Sequence, residues 1–409
     1  MNGSEVTRAI FHHERRRAAA GGMIETASST FLLLFAVRVF DAQATAKGLV
    51  AAGASIGLLL SPLVVWLTAR RRTRTSHAAA NLALVSAASF LFAAGAPSSW
   101  IFVIAAALGI SANAAIVPLL TQMYQDGYPE TERGRLFTRA MVIRIAAAIL
   151  FAQAVGELLL RHMGGWRLVT LAFAAAAAFS AYHLRRCPSH ALPSSNTRNP
   201  FLALRHIRHD RVFRVTLIAW MIMGFGNLMM ASMRVEYLAN PRYAVNLDAA
   251  SIAFLTAVVP NFTRLCLSRL WGWLFDRLNF FFLRVVLNVG FAISMVAFFT
   301  GDSFTGLVLG ASLFGISMAG GDVAWSLWVT KLAPPKLVAD YMSVHTFLTG
   351  VRGVLAPLLV FHLANAATLE TLVIFSGSLI LLSILMLLPE IRWGRLLGRG
   401  VALIKEISE

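Results

Sequence analysis

Five ionisable side chains lie inside long apolar stretches of this sequence: Glu25, Arg144, Arg264, Asp322 and Arg352. A buried carboxylate next to an arginine stays ionised, whereas a desolvated carboxylate without a nearby cation favours its protonated form. The planar fork of an arginine side chain binds carboxylate and phosphate groups through parallel hydrogen bonds. These residue types therefore predict a site that handles a proton and an organic anion.

Further polar residues share helical faces with these charges. His345, Thr349 and Arg352 stand at i, i+4 and i+7, which is one face of a helix. Asn261 and Arg264 stand at i and i+3. The other candidates for the same site are Asn113, Asn227 and Trp325. An isolated Asn or Thr in an apolar helix also serves in packing between helices, which is an alternative to a role in the site. His345 stands near a predicted helix end, where the alternative is a side chain solvated by water.

The composition indicates that the elements carrying these residues lie in a lipid bilayer. Of the 409 residues, 58% are hydrophobic and 13% are charged, and the mean hydropathy is +0.70, unlike a soluble globular domain. A helix needs about 20 apolar residues to cross the hydrocarbon core. Windows of that length predict twelve spans, numbered 1 to 12 in chain order: 19–40, 47–68, 77–97, 99–121, 138–160, 166–185, 213–237, 248–270, 281–301, 303–328, 338–363 and 369–389.

Positive charge is distributed asymmetrically between alternate loops. The net charge is +17, and arginines cluster before span 1, after spans 2 and 4, and between spans 6 and 7. The intervening loops, such as "GAPSSW" and "NAATLE", are short and carry few charges. This positive-inside pattern predicts that both termini are cytoplasmic, in the inner (cytoplasmic) membrane of a cell. Because the charge is explained as a topology signal, we expect no nucleic-acid partner.

A long polar interruption divides the spans into two groups of six. The predicted organisation is an N-terminal six-helix bundle over 1–185, a cytoplasmic linker over 186–212, a C-terminal six-helix bundle over 213–390 and a cytoplasmic tail over 391–409. The linker stretch "FLALRHIRHDRVF" has one apolar and one basic face, which predicts a helix at the membrane surface. Trp66 and Trp271, like Pro129 and Pro334, recur at one constant offset, which favours two halves related by duplication.

One loop motif is more specific than these patterns. After span 8 the sequence is "GWLFDRLNFFFLR", in which Gly272, Asp276 and Arg277 match the G-x-x-x-D-R core of a loop signature of the major facilitator superfamily. The chain resembles this superfamily over its full length. The first-half copy of the signature is degenerate, with Leu67 and Arg71 where the family has glycine and aspartate.

The resemblance implies the fold and the roles of the spans. An all-α membrane protein is expected, with twelve transmembrane helices in two pseudo-symmetric six-helix bundles. Spans 1, 4, 7 and 10 would line a central cavity, flanked by spans 2, 5, 8 and 11, and none of the five deep charges falls on the outer spans 3, 6, 9 and 12. The signature loop, with Gly272, Asp276 and Arg277, is expected to lock one conformation. Span 5 lacks the glycine-proline motif of drug/proton antiporters. This absence argues against a drug/proton antiporter without excluding one.

Together these patterns predict a secondary active transporter of a small organic solute, anionic or carboxylate-bearing, that works by alternating access. We expect each acid to pair with the arginine of its own half, Glu25 with Arg144 and Asp322 with Arg352. Substrate binding to an arginine would release its carboxylate, which would then take up a proton. Asp322 and Glu25 are the predicted proton-coupling residues, and Arg264 joins the two other arginines in holding the solute. The alternative is that these ion pairs only lock the two halves together.

Other classes were weighed against this prediction. The sequence has no HExxH, GxSxG, CxxC or GxxxxGK motif, so we expect no enzyme, ATP-driven pump, metal site or cofactor. A channel remains an alternative, as does sodium coupling at Asp322. The main alternative is an exporter or flippase of amphiphilic compounds such as drugs or lysolipids, indicated by 28 Phe and 14 Met residues. The expected partners are the substrate, the coupling ion and the bilayer, and the expected state is a monomer.

Overall fold

The structure is a computed structural model that describes residues 3–191, 204–301, 303–332 and 338–393. Within these ranges the chain forms helices and no β-strand, with one isolated β-bridge between Arg74 and Ala191. Twelve helices of the described chain are long and apolar enough to cross a membrane. The predicted all-α fold and the twelve predicted spans are confirmed.

The helix bounds follow the predicted spans, with a few interruptions. Span 1 comprises Gly3–Thr26, a π-helical turn Ala27–Phe31 and Leu32–Arg38, and spans 2 and 3 are Ala44–Arg70 and Thr75–Ala94. Span 4 comprises Ser99–Ala114 and Val117–Gly127, and span 5 is Glu130–Arg161. Span 6 is Trp166–Arg186, which follows a short turn Met163–Gly165. Span 7 is Arg211–Ala239, and span 8 comprises Ala249–Ala253, a π-helical turn Phe254–Val258 and Val259–Arg277. Spans 9 to 12 are, in order, Phe280–Phe299, Phe304–Leu332, Val338–Ala366 and Leu369–Trp393.

Polar side chains define where several of these helices begin. Asn279 Oδ1 accepts from the backbone N–H of Phe281 at 2.8 Å, which caps span 9. Asp248 caps span 8 by accepting from the N–H of Ser251 at 2.9 Å and from its hydroxyl at 2.7 Å. Burial raises the pKa of Asp248, but the hydrogen bonds from Ser251 outweigh it and hold the pKa below its usual range.

The two π-helical turns meet at a pair of threonines. Thr30 lies in the turn of span 1 and Thr256 in the turn of span 8, and their hydroxyl oxygens are 2.9 Å apart. Such wide turns are rare and occur frequently at functional sites. Pro260 stands two residues after the turn of span 8.

The chain forms two compact units. Unit 1 comprises Met1–Arg198, Ser232–Val258 and Gly353–His362, and unit 2 comprises Asn199–Ala231, Val259–Arg352 and Leu363–Glu409. Unit 1 therefore contains the first six spans, one end each of spans 7 and 8, and the stretch Gly353–His362 of span 11. The predicted limits at 185 and 213 concern the duplicated sequence halves and stay a prediction.

The linker contributes a short helical segment to unit 2. A helix runs from Arg205 to His209, and His206 stacks on Tyr341 with a ring-centroid distance of 4.9 Å. The hydroxyl of Tyr341 donates to Asp210 Oδ2 at 2.9 Å. The start of the predicted surface helix, residues 201–203, and the tail from residue 394 lie outside the described residues.

Candidate functional site

Glu25 and Arg144 form an ion pair in unit 1. Arg144 Nε lies 3.1 Å from Glu25 Oε2, and both side chains are partly exposed. Spans 1 and 5 approach closely at Gly22, because a Cβ on this residue would overlap the backbone carbonyl of Arg144. The predicted pairing of this acid with this arginine is confirmed.

Asp322 pairs with Arg264 in unit 2. Arg264 Nε donates to Asp322 Oδ2 at 2.5 Å, and Arg264 Nη1 donates to Asn261 Oδ1 at 3.2 Å. The Arg264 side chain is 5% exposed, whereas that of Asp322 is 33% exposed. The predicted pairing of Asp322 with Arg352 is therefore wrong. Spans 8 and 10 pack along each other, and this packing brings Arg264 to the carboxylate.

The guanidinium of Arg352 lies against the backbone of span 7. Its Nη1 donates to the carbonyl oxygen of Trp220 at 2.7 Å. A Cβ on Gly224 would overlap the guanidinium, so this glycine provides the space in which the arginine reaches a backbone acceptor. Arg352 Nε is buried and has no hydrogen-bond partner in the described part of the chain.

His345 lies among three tryptophans. Its ring centroid is 5.2 Å from that of Trp220, 5.6 Å from Trp325 and 5.1 Å from Trp328. The residue is 0% exposed, so the interpretation of a water-solvated histidine at a helix end is wrong. Both ring nitrogens, and the hydroxyl of Thr349 one turn along, lack a hydrogen-bond partner among the described residues.

Arg284 on span 9 is a further deep arginine that the sequence patterns did not single out. It is 2% exposed, and its Cζ lies 3.7 Å from the centroid of the Trp220 ring. Its Nη2 is 3.7 Å from Met223 Sδ. Arg284 thus adds a buried charge on span 9, an outer span on which none of the five predicted charges falls. Arg284 stands near the start of that helix, where an arginine normally extends to the membrane surface, so its burial depends on packing.

The other predicted site residues are Asn113, Asn227 and Trp325. Asn113 is the next-to-last residue of the first helix of span 4 and is half-buried, and Asn227 on span 7 is half-buried. Among the described residues, neither side chain hydrogen-bonds to a site arginine. Trp325 is half-buried, one turn of span 10 beyond Asp322. Of the three asparagines predicted at the site, only Asn261 contacts a site arginine within the described chain.

The signature motif begins inside the last helix of span 8. Gly272 lies inside the helix that continues to Arg277, and a Cβ placed on it would meet no atom within 4 Å. Arg277 Cζ lies 4.4 Å from the centroid of the Trp273 ring. The side chain of Asp276 lies outside the described residues, so its predicted locking contact stays a prediction.

A buried ion pair joins the ends of spans 2 and 7 in unit 1. Lys47 Nζ lies 2.6 Å from Glu236 Oε1, and the two side chains are nearly buried. Asn240 Nδ2 also donates to Glu236 Oε1, at 2.8 Å. Neither charge was predicted as functional, because both stand at the ends of their predicted spans.

Arg38 makes the neighbouring connection in unit 1. Its Nε donates to the carbonyl oxygen of Ala239 at 3.1 Å, and its Nη2 donates to Asn246 Oδ1 at 3.0 Å and to the carbonyl oxygen of Leu247. These bonds hold the end of span 1 to the loop between spans 7 and 8. We call this set the Arg38 joint: Arg38, Lys47, Glu236, Ala239, Asn246 and Leu247.

A second buried cluster lies near the other end of span 1. Arg17 donates to both carboxylate oxygens of Glu14, at 2.7 and 2.6 Å, and the hydroxyl of Tyr124 donates to Glu14 Oε1 at 2.5 Å. Burial, reinforced by the negative charge of Glu14, raises the pKa of Cys187 to about 12. These hydrogen bonds connect spans 1 and 4. The reactivity of the Cys187 thiol therefore reports on the packing around Glu14.

The chemistry that these residues support is ionic. In the part of the chain that the structure describes, no group of three or more His, Cys, Asp or Glu side chains could hold a metal ion. Buried phenylalanines pack against one another in unit 1, as Phe31, Phe90 and Phe173 do. The arrangement can exchange a carboxylate's arginine partner for a proton and can present guanidinium groups to an anion.

Comparisons with known proteins agree on one family and fold. Residues 18–357 match the family described as Major Facilitator Superfamily. Solved structures of similar fold include a point mutant of the nucleoside transporter NupG, with a TM-score of 0.75 at 12% identity, covering 92% of this chain and 98% of that one. A D-xylose-proton symporter has a TM-score of 0.71 at 16% identity, with 93% and 97% of the two chains covered.

A third similar structure is a POT family transporter in complex with a thioalcohol-conjugated peptide. Its TM-score is 0.70 at 12% identity, and 97% of each chain is covered. No curated protein sequence matches the chain at a significant level. At these identities the structural likeness shows the fold alone.

Proposed function

The chain belongs to the major facilitator superfamily and is a multi-pass membrane transporter, and we propose that it carries a small organic anion by proton-coupled alternating access. The observation that carries this proposal is the environment of Arg352. Its guanidinium is held by a backbone carbonyl and has no carboxylate partner among the described residues. A largely buried cation of this kind favours binding of an anion from outside the protein.

The two acid and arginine pairs support proton coupling. Glu25 with Arg144 and Asp322 with Arg264 each join a carboxylate to a guanidinium within one sequence half. Both carboxylates are partly exposed, so a proton can reach them. The similar D-xylose-proton symporter couples its sugar to protons, as its name states, so the fold is compatible with this chemistry.

The proposed cycle exchanges partners at Asp322. An anion held at Arg352 that also engages the Arg264 fork competes with Asp322 for the same donors. A carboxylate that loses its cation in a poorly hydrated site favours the protonated form, so Asp322 takes up a proton as the anion binds. Release of the anion restores the Arg264–Asp322 pair and expels the proton. Arg144, paired with Glu25, is proposed to act in the same way.

Topology and assembly complete the proposal. The arginine-rich loops support a topology with both termini in the cytoplasm and the protein in the cytoplasmic membrane. The Arg38 joint then faces the outside, and its bonds must break when the carrier opens to that side. One chain carries all the proposed residues, so the working unit is a monomer.

The test uses purified protein in liposomes loaded with a pH-sensitive dye and free of sodium. Adding a transported organic anion with an inward proton gradient should acidify the interior. Asp322→Asn should abolish this acidification, whereas Glu370→Gln, which alters an exposed carboxylate, should leave it unchanged. Persistence of gradient-driven uptake in Asp322→Asn would refute the proton assignment. Flux of neutral sugars or lipophilic cations without any organic-anion flux would refute the substrate class.

A further inference from the structure

Two guanidinium groups meet at Trp220 in unit 2. Arg352 Nη1 donates to its carbonyl oxygen at 2.7 Å, and Arg284 Cζ lies 3.7 Å from the centroid of its ring. The two arginines are close enough for their positive charges to repel each other. Neither has an ion-pair partner in the described part of the chain. Because buried like charges are strongly unfavourable, an anion at this place would stabilise both.

The polar atoms around these arginines also have unused hydrogen-bonding capacity. Arg284 Nε, Arg352 Nε, Trp328 Nε1, Thr349 Oγ1 and both ring nitrogens of His345 are buried without a partner among the described residues. The large majority of buried polar side-chain atoms in proteins are hydrogen-bonded. Guanidinium and indole nitrogens can only donate, so the group that satisfies them must be rich in acceptors.

These atoms belong to one compact cluster. His345 lies within electrostatic range of both guanidiniums, and its ring contacts those of Trp220 and Trp328 at centroid distances of 5.2 and 5.1 Å. Arg352 is partly exposed whereas Arg284 is buried. An incoming solute would therefore meet Arg352 before Arg284.

We propose that Arg284 and Arg352 together bind the charged end of the solute, and that this solute is an organic dianion such as a dicarboxylate or a phosphate monoester. The inference rests on the proposed function, because it names the class of anion that is carried. Arg352 neutralises one negative charge and Arg284 the second. His345, Thr349 and Trp328 supply additional hydrogen bonds to the acceptor oxygens of the solute. Arg284 becomes the residue that separates dianions from monoanions.

Binding to the purified full chain in detergent at pH 8 provides the test, with intrinsic tryptophan fluorescence as the readout. Two probe pairs match shape and differ in charge: phenyl phosphate against benzenesulfonate, and succinate against monomethyl succinate. We expect each dianion to bind at least tenfold more tightly than its monoanionic partner. The stronger of the two dianions identifies the headgroup, phosphate monoester or dicarboxylate.

Substitutions assign this preference to Arg284. Arg284→Gln should weaken dianion binding at least tenfold and change monoanion binding less than threefold. Arg284→Lys, which keeps the charge, should restore part of the dianion affinity and serves if the Gln variant does not fold. Arg70→Gln is the matched control, because Arg70 also stacks on a tryptophan, Trp66, but is exposed. It should bind every probe like the unaltered protein.

The outcomes separate this inference from the proposed function. Equal affinity for dianions and monoanions, or a dianion preference that Arg284→Gln and Arg284→Lys both leave intact, would overturn the inference while organic-anion transport stands. Absence of binding by all four probes, together with no anion-driven flux in liposomes, would overturn the proposed function itself. If waters alone satisfied the cluster, Arg284→Gln would change unfolding but no probe affinity, which also contradicts the inference.

Discussion

Arg264 and Asp322 are joined at 2.5 Å, yet the arginine is 5% exposed and the aspartate 33% exposed. The buried partner is fixed by a second contact, to Asn261. The carboxylate is therefore the member of the pair that solvent reaches more easily, while the guanidinium is held in place. This asymmetry favours Asp322 as the group that changes its proton.

The Arg264–Asp322 pair should show a measurable coupling energy. Asp322→Asn leaves a buried guanidinium with a weaker partner, so we expect a loss of about 1.5–3 kcal/mol in the free energy of unfolding. Arg264→Gln should have a similar effect, and the double variant should lose less than the sum of the two. Denaturant unfolding in detergent measures all three, with exposed Glu370→Gln as a control expected within about 0.5 kcal/mol. If the losses of the two single variants added up to that of the double variant, the ion pair would have no coupling energy.

Breaking the Lys47–Glu236 pair should favour the conformation in which the Arg38 joint is open. Thr30 is fully buried, so a Thr30→Cys reporter in a background lacking the two native cysteines should react slowly with a maleimide. Glu236→Gln removes the charge that binds Lys47 and should speed this labelling several-fold. The double variant with Lys47→Glu and Glu236→Lys restores a pair of opposite charges and should slow the labelling again. Equal rates in all backgrounds would contradict a gating role.

Adding one methyl group at Gly224 should disturb Arg352 selectively. Gly224→Ala places a Cβ on the guanidinium, and overpacking of this kind costs about 1–3 kcal/mol. We expect organic-anion binding to weaken at least tenfold because the arginine must leave the Trp220 carbonyl. Gly164→Ala is the matched control, since its Cβ would meet no atom within 4 Å. Comparable losses in the two variants would argue against a specific contact.

The thiol of Cys187 should be nearly inert at moderate pH. With a pKa of about 12, roughly one thiol in a thousand is ionised at pH 9, whereas a free cysteine is more than half ionised there. Maleimide labelling of Cys187 in a Cys266→Ser background should therefore be slow at pH 9. Glu14→Gln removes a negative charge that raises this pKa, so it should speed the labelling. A rate like that of a free thiol would show that the cluster around Glu14 is not packed as described.

The membrane fold could be predicted from the sequence because span length and composition are local properties. The pairing within the first half could also be predicted, since Glu25 and Arg144 were the deep acid and the deep arginine assigned to that half. The second half offered two arginines to one aspartate. Only the packing of span 8 against span 10 decides that Arg264, not Arg352, reaches Asp322.

Arg284 shows a second limit of sequence patterns. An arginine near the start of a span resembles an anchor at the membrane surface. Its burial depends on the indole of Trp220 and the thioether of Met223, which come from another helix. Three-dimensional contacts of this kind have no periodic signal in the chain, and neither do the bonds of Arg38 to the loop after span 7.

The wide turns at Thr30 and Thr256 have a consequence for how the helices can move. A π turn holds one residue more than an α turn, and one residue corresponds to about 100° of rotation around a helix axis. Relaxation of the turn Ala27–Phe31 to α geometry would swivel the following segment, Leu32–Arg38, without bending span 1. This rotation would move the Arg38 side chain away from its acceptors. A rotation about the helix axis would therefore be enough to break the hydrogen bonds of the Arg38 joint.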